Sequence, residues 1–303
     1  MNDRRAFYLF TPERELDYEA LQRVTIVRPG GNDTAIVWDP VRRAQQGEVA
    51  GAIQTTYPGV EQVMFVERIP GTLRLRGQMA GGEFCGNATR SLGYLLLDGK
   101  DGTVDLDVSG ASKPMTVTVK EGGAQTEIPV LSDLGSVQNR PDGEKIVDLE
   151  GISFLVTRAD QPTGQALMAL PDEVSRKERV KQILKEVELI DKPASGVMVV
   201  SSRPDGKLGL DPFVYVRDTG TLYYETGCGS GSTAVGLVQA AGTGASVPAL
   251  EIVQPSGLPL IVSVDRGESS FRRAFVNGPI EVLFDGRMYL PRQAVEKKAA
   301  LTL

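Results

Sequence analysis

The sequence predicts an α/β protein built from two similar lobes, and three observations carry that prediction. The chain has 303 residues, a length that suits about two domains. Strand-patterned runs alternate with helix-patterned ones. One ordered set of features also occurs twice: strand-Pro-helix, strand, Cys-Gly-helix, Ser-Gly turn, Pro-strand. A repeat of that size implies paired lobes, not a solenoid of small units.

In the first copy, Thr34–Trp38 reads as a strand, followed by Asp39-Pro40 and a helix over Val41–Gln54. Val63–Val66 is a strand, and Thr72–Arg76 alternates as a half-buried strand should. After Cys85-Gly86, residues 88–97 (A-T-R-S-L-G-Y-L-L-L) read as a helix that stops at Asp98-Gly99. Val104–Val108 is a strand, Ser109-Gly110 a turn, and Pro114–Val119 a strand.

In the second copy, Ala166–Leu170 reads as a strand, followed by Pro171-Asp172 and a charged helix over Glu173–Glu188. Val197–Val200 and Phe213–Val216 are strands. After Cys228-Gly229, residues 232–241 (S-T-A-V-G-L-V-Q-A-A) form a helix ending at Gly242. Leu250–Val253, the Ser256-Gly257 turn and Pro259–Val264 complete the copy. The polar stretch Leu131–Glu150 is the expected boundary, giving a first lobe over 1–135 and a second over 149–278. Residues 279–303 carry one more strand, Ile280–Phe284, and a charged end.

Composition removes several chemistries. There is no histidine, so neither a Ser-His-Asp nor a Cys-His nucleophile can form, and no metal can be held by imidazole. Two cysteines cannot supply a zinc site made of four thiolates. No phosphate-binding or dinucleotide-binding glycine motif is present. The expectation is therefore no metal and no cofactor. A mild net charge of −6, mixed along the chain, gives no case for nucleic acid. No run approaches the ~20 apolar residues of a membrane span, and none near the N-terminus resembles a signal peptide. A soluble, cytoplasmic protein with a small-molecule partner is expected, with a homodimer left open.

The two cysteines occupy matched settings, E-F-C-G-N-A-T-R (83–90) and E-T-G-C-G-S-G-S (225–232), each opening a helix. A helix N-terminus offers free N–H groups and partial positive charge. It can hold a carboxylate and favours thiolate over thiol. Two such thiols facing one cleft form a stereo-inverting pair: one removes a proton from one face of a carbon, the other delivers one to the opposite face. A lone cysteine is more often a small buried hydrophobe, but these flanks are polar and glycine-rich. Glu83 and Glu225 are candidates to orient a substrate amine, and each has a plainer reading as a solvated carboxylate.

These motifs resemble those of diaminopimelate epimerase, C-G-N-G-x-R and C-G-T-G, and Gly30–Thr34 resembles that family's G-x-G-N-D-F segment. G-G-E-F-C-G-N-A-T-R is also similar to the histidine racemases of metallophore synthesis, which share the fold. The resemblance covers roughly residues 24–285. It implies pyridoxal-independent racemases and epimerases with two pseudo-symmetric lobes, each a mixed sheet wrapped around a central helix. A short C-terminal strand would return to the first lobe. It implies Cys85 and Cys228 as the two bases, with Asn32, Gly86, Asn87, Gly229 and Ser230 lining the substrate pocket.

The departures bear on the substrate. Val216-Arg217 stands where the family has Glu-Arg, leaving Arg217 as a candidate binder and Glu225 as a stand-in for the lost carboxylate. Leu167–Pro171 replaces the family's G-N-P-H, and Met198 falls near a family asparagine. Those family residues hold the distal end of diaminopimelate, and apolar replacements would leave its charges unpaired. The implied reaction is racemisation of another amino acid, with histidine a candidate.

Four competing readings stand beside it. Diaminopimelate epimerase itself is one. A phenazine-biosynthesis-like isomerase using Glu83 is another, though its E-x-x-F-C-G-H pattern is one residue longer and leaves Cys228 without a task. The remaining two are a thiol–disulfide sensor built on the two cysteines, and a non-catalytic amino-acid-binding module.

Overall fold

The computed structural model describes residues 21–72, 74–218 and 220–290, which form one mixed sheet of 17 strands with helices packed on both faces. The first half runs β1 (Leu21–Arg28), β2 (Asp33–Val37), α1 (Arg43–Thr56), β3 (Val60–Arg68), β4 (Leu75–Met79) and α2 (Gly86–Leu96). It continues with β5 (Gly102–Val108), β6 (Met115–Lys120) and β7 (Gly123–Ile128). Then come β8 (Val137–Asn139), β9 (Lys145–Leu149), β10 (Ile152–Arg158), α3 (Pro162–Met168) and α4 (Glu173–Glu186). The rest is β11 (Ala194–Ser202), β12 (Leu208–Val216), β13 (Thr221–Tyr224), α5 (Gly229–Thr243), β14 (Val247–Val253), β15 (Pro259–Arg266), β16 (Phe271–Pro279) and β17 (Glu281–Tyr289). No helix among the described residues is long and apolar enough to cross a membrane.

The duplication is visible in the strand pairing. In the first half β2 pairs parallel with β3, β3 antiparallel with β4, β4 parallel with β5, and β5–β6–β7 form an antiparallel meander. In the second half β10 pairs parallel with β11, β11 antiparallel with β12, β12 parallel with β14, and β14–β15–β16 form the matching meander. The two meanders meet edge to edge where β7 pairs antiparallel with β16, from Ile128 opposite Ala274 to Gly123 opposite Pro279. β17 pairs antiparallel with β1 from Tyr289 opposite Leu21 to Glu281 opposite Arg28.

Strand parity decides which core each residue joins, because successive side chains point to opposite faces. Ile36, Met64 and Val66 pack around α2 with Ala88 and Leu92, while Ala35, Val37, Val63 and Phe65 pack against Val49 and Ile53 of α1. The second half repeats the division. Phe154, Val156, Met198 and Val214 surround α5, while Leu155, Val197, Val199 and Phe213 cover Val180, Ile183 and Leu184 of α4. Strands buried on both faces read as continuous apolar runs, as Val63–Val66 and Val197–Val200 do. The mixed α/β fold of two pseudo-symmetric halves, each wrapped around a central helix, is thus the observed one.

The sheet comes close to both central helices. A Cβ on Gly93 of α2 would lie 2.5 Å from Val117, and one on Gly236 of α5 would lie 2.6 Å from Val262. Each glycine stands eight residues after its cysteine, so the same packing constraint is written twice.

Four sequence readings are corrected. Ala166–Leu170 is not a strand but lies in and just past the short helix α3, which Pro162 opens at its first turn; a short apolar run does not distinguish the two. The strand expected at Thr72–Arg76 begins only at Leu75 and runs to Met79. α5 continues past Gly242 to a left-handed Gly244 cap. The polar boundary stretch Leu131–Glu150 is not irregular chain but carries β8 and β9, and β9 pairs with β10. Residues 1–20 and 291–303 of the expected lobes lie outside the described residues.

Candidate active site

Both cysteines are helix N-caps in extended conformation. Cys85 Sγ accepts from Ala88 N at 3.4 Å at the start of α2, and Cys228 Sγ accepts from Gly231 N at 3.3 Å at the start of α5. The same i to i+3 bond, made by sulfur instead of a serine or aspartate oxygen, thus opens both central helices. Built Cβ atoms on Gly86 and Gly229 would lie 3.8 Å and 3.6 Å from the same atom, Val276 Cγ1. The two helix starts therefore face each other across one valine of β16. Both sulfurs are free thiols.

They line one cavity of about 330 Å3, in the usual size range of small-molecule sites. Of the residues singled out by sequence, Glu83, Cys85, Gly86, Asn87, Glu225, Cys228, Gly229 and Ser230 line it. Asn32 lies just behind: its Oδ1 accepts from Thr226 N at 3.1 Å and Gly227 N at 3.3 Å, which shapes the loop leading into Cys228. Arg217 is elsewhere, on the surface, paired with Asp218 at 2.8 Å and donating to Asp191 O. Leu167 is buried against α4, outside the cavity lining, and Met198 joins the Cys228 core.

Three residues missed from sequence complete the site. Glu61 and Gln62 of β3 line the cavity, and Gln62 Oε1 accepts from Cys85 Sγ at 3.1 Å. Glu61 Oε1 accepts from Thr226 Oγ1 at 2.6 Å. Gln254, just after β14, accepts from Cys228 N at 2.9 Å and donates to Ser232 Oγ at 3.0 Å. Nothing local marks a glutamate and a glutamine at a strand start; only the sheet register brings them to the cysteines.

The site is acidic. Glu61, Glu83, Glu150 and Glu225 line it, and no lysine or arginine among the described residues does. Burial pushes the Glu225 carboxyl up to about 7, reinforced by nearby Glu61 and partly offset by hydrogen bonding to Cys228 and the nearby Asn32 amide. Asn32 Nδ2 itself reaches no acceptor at normal hydrogen-bond distance. Burial likewise raises Glu61 and Glu83, and Glu83 Oε2 has no partner.

The thiols depart from the sequence expectation. Burial pushes Cys85 up to about 12, outweighing the Ala88 N–H that favours its anion, and Glu225 and Glu83 add to the rise. Burial, then the Glu225 charge, holds Cys228 well above the usual thiol range. Helix ends favour thiolate, but in a cavity ringed by carboxyls desolvation and like charge win.

The chain matches, over residues 24–289, a family model described as the histidine racemase CntK N-terminal domain. A histidine racemase of Fusobacterium nucleatum subsp. nucleatum is 28% identical over 225 residues, 70% of this chain and 77% of that protein. Among solved structures, a hydroxyproline epimerase from Agrobacterium vitis with bound trans-4-hydroxy-L-proline superposes with a TM-score of 0.61 at 12% identity, over 90% of this chain and 93% of that one. A phenazine biosynthesis PhzF-family protein from Enterococcus faecalis superposes with a TM-score of 0.56 at 15% identity, over 89% and 100%. The two structural likenesses speak to the fold alone. With the family model spanning both central helices and both cysteines, the chain belongs to the histidine racemase CntK N-terminal domain family and is an isomerase of the amino-acid racemase and epimerase class.

Proposed function

We propose that this protein racemises an amino acid, histidine first among candidates, by a cofactor-independent two-thiol mechanism on Cys85 and Cys228. One observation carries the reading: the two cysteines cap opposed helices and line one cavity. In this scheme the substrate carboxylate lies across the two helix starts, where free N–H groups accept an anion. Its ammonium lies among Glu61, Glu83 and Glu225. That cation offsets the carboxylate charges that hold the thiols protonated, and Glu225, hydrogen-bonded to Cys228, takes the Cys228 proton.

The thiolate removes the Cα proton, the carbanion spreads into the substrate carboxylate between the helix dipoles, and the Cys85 thiol delivers a proton to the other face. The reverse direction exchanges the two roles. Each positioned acid or base is worth about 10²–10⁴-fold.

The acidic lining supports a substrate whose side chain donates hydrogen bonds or carries positive charge, as histidine does. It disfavours diaminopimelate, whose distal carboxylate would meet like charge in a buried site. A second reading, isomerisation with Glu83 as the proton carrier, has one observation in its favour: Glu83 lines the cavity with its Oε2 unpartnered.

The test is a panel of single-enantiomer amino acids in D2O under reducing conditions, with wild type, Cys85→Ser, Cys228→Ser and Glu83→Gln. The proposal expects deuterium at Cα with inversion, greatest for histidine, and loss in both cysteine variants. Loss confined to Glu83→Gln supports the second reading instead.

A further inference from the structure

Arg90 lies on α2, five residues after Cys85, and is fully buried. Its Nη1 donates to Ala124 O at 3.0 Å, and its Nη2 donates to Pro29 O at 2.7 Å and Asn87 Oδ1 at 3.3 Å. A Cβ on Gly278 would come within 3.1 Å of Nη1, so the guanidinium is wedged against the β7–β16 seam. Its Nε has no partner, and no carboxylate among the described residues is among the groups that shift its guanidinium. Every acceptor it has is a neutral amide or peptide oxygen. A buried cation without an anion is costly and is normally paired, so a fully buried arginine held this way asks what its anion is.

We propose that Arg90 is the positioning residue and counter-charge of the Cys85 thiolate, supplying from inside the core the positive charge that the cavity wall lacks. It acts through two links. It grips Asn87, one of the residues whose N–H groups at the start of α2 favour a charged Cys85. Its Nη2 also stands at the Asn87 side chain in the first turn of the helix that Cys85 caps, and the Arg90 and Cys85 charges favour each other. The other titratable groups facing Cys85 are Glu83 beside it on its own loop, Glu225 just past β13, and Cys228, the N-cap of α5. All of these oppose the anion, while Arg90 and the N–H groups of Ala88 and Asn87 favour it. Burial lowers the Arg90 guanidinium only to about 10, so it stays charged at neutral pH.

The proposal rests on Cys85 acting as one of the two bases. It is tested without turnover, so it can fail while racemisation stands. The measurement is the pH dependence of iodoacetamide alkylation of Cys85 in a Cys228→Ala background, with Arg90, Arg90→Lys and Arg90→Met compared and melting curves confirming the fold.

The expected result is a fall of at least tenfold in alkylation rate at pH 8 for Arg90→Met, with Arg90→Lys within about threefold of the parent. A merely structural role would lower melting temperature in both variants and leave the pH profile where it was; a folded Arg90→Met protein with an unchanged profile overturns the proposal. Should Arg90→Met not fold, the order of alkylation in the wild-type protein decides. Cys85, on the helix that carries Arg90, must react ahead of Cys228, and the reverse order overturns the proposal.

Discussion

Asn87 Nδ2 donates to Gly227 O at 2.8 Å. One partner is the second residue after Cys85 and the other immediately precedes Cys228, so a single buried hydrogen bond ties the two cysteine motifs across the halves of the molecule. The N–H of the same Gly227 is held by Asn32 Oδ1. Two first-half amides thus fix both polar groups of Gly227, the residue before Cys228.

Replacing Asn87 by alanine removes that tie and strands a buried carbonyl. The expected cost is about 1–3 kcal/mol of stability, seen as a lower midpoint in a thermal melt. Racemisation should fall more steeply than stability, because the loop before Cys228 loses its register; full activity in a folded Asn87→Ala protein would show that the bridge is only structural.

Cys85→Ala and Cys228→Ala should each lose at least tenfold in racemisation while keeping the wild-type fold, and removing both should cost little more than removing one. A positioned acid or base contributes about 10²–10⁴-fold, and neither thiol can invert a centre alone. Progress curves from each enantiomer check this, and near-normal turnover in either variant counts against the assignment.

These two motifs are also where the sequence was most legible. The Cys-Gly pairs, the helical runs behind them and the repeated order of elements foretold α2, α5 and the paired halves, because each signal is local. Glu61, Gln62 and Gln254 were not legible, because each owes its place to sheet register far along the chain. Arg217 was misplaced for the complementary reason: neighbouring a family motif in sequence, it sits past the end of β12 and turns to Asp218 at the surface. The Ala166–Leu170 reading failed because five apolar-leaning residues fit a strand or a helix equally, and Pro162 upstream was the better signal.

Glu225 gives stability a defined pH dependence. Burial raises its carboxyl from 4.5 to about 7 in the folded protein. A raised value means the contribution is fully present below the unfolded value and is lost as pH rises through about 7; its size is about 3 kcal/mol. Glu67 and Glu127, whose values are lowered, run the other way, so the informative quantity is a difference. Between pH 5 and 8 the wild-type melting temperature should fall relative to Glu225→Gln, and parallel curves for the two proteins would refute the burial argument.

The raised thiols predict an alkaline-rising rate. With Cys85 near 12 in the free enzyme, the thiolate fraction grows about tenfold per pH unit below that value. kcat/KM, which reports the free enzyme's ionisations, should rise on the order of tenfold per unit from pH 7 to 9. A plateau over that range would place the reacting group elsewhere.

The central claim is that two separate sulfurs serve opposite faces of one stereocentre, and the most direct test follows the circular dichroism of a single histidine enantiomer during racemisation in D2O. With two bases, product forms carrying solvent deuterium at Cα, and its return is slowed by the isotope effect. The signal should therefore cross zero and overshoot before decaying back. A monotonic approach to zero, with deuterium appearing equally in recovered starting enantiomer and in product, would mean one group serves both faces and would contradict the account.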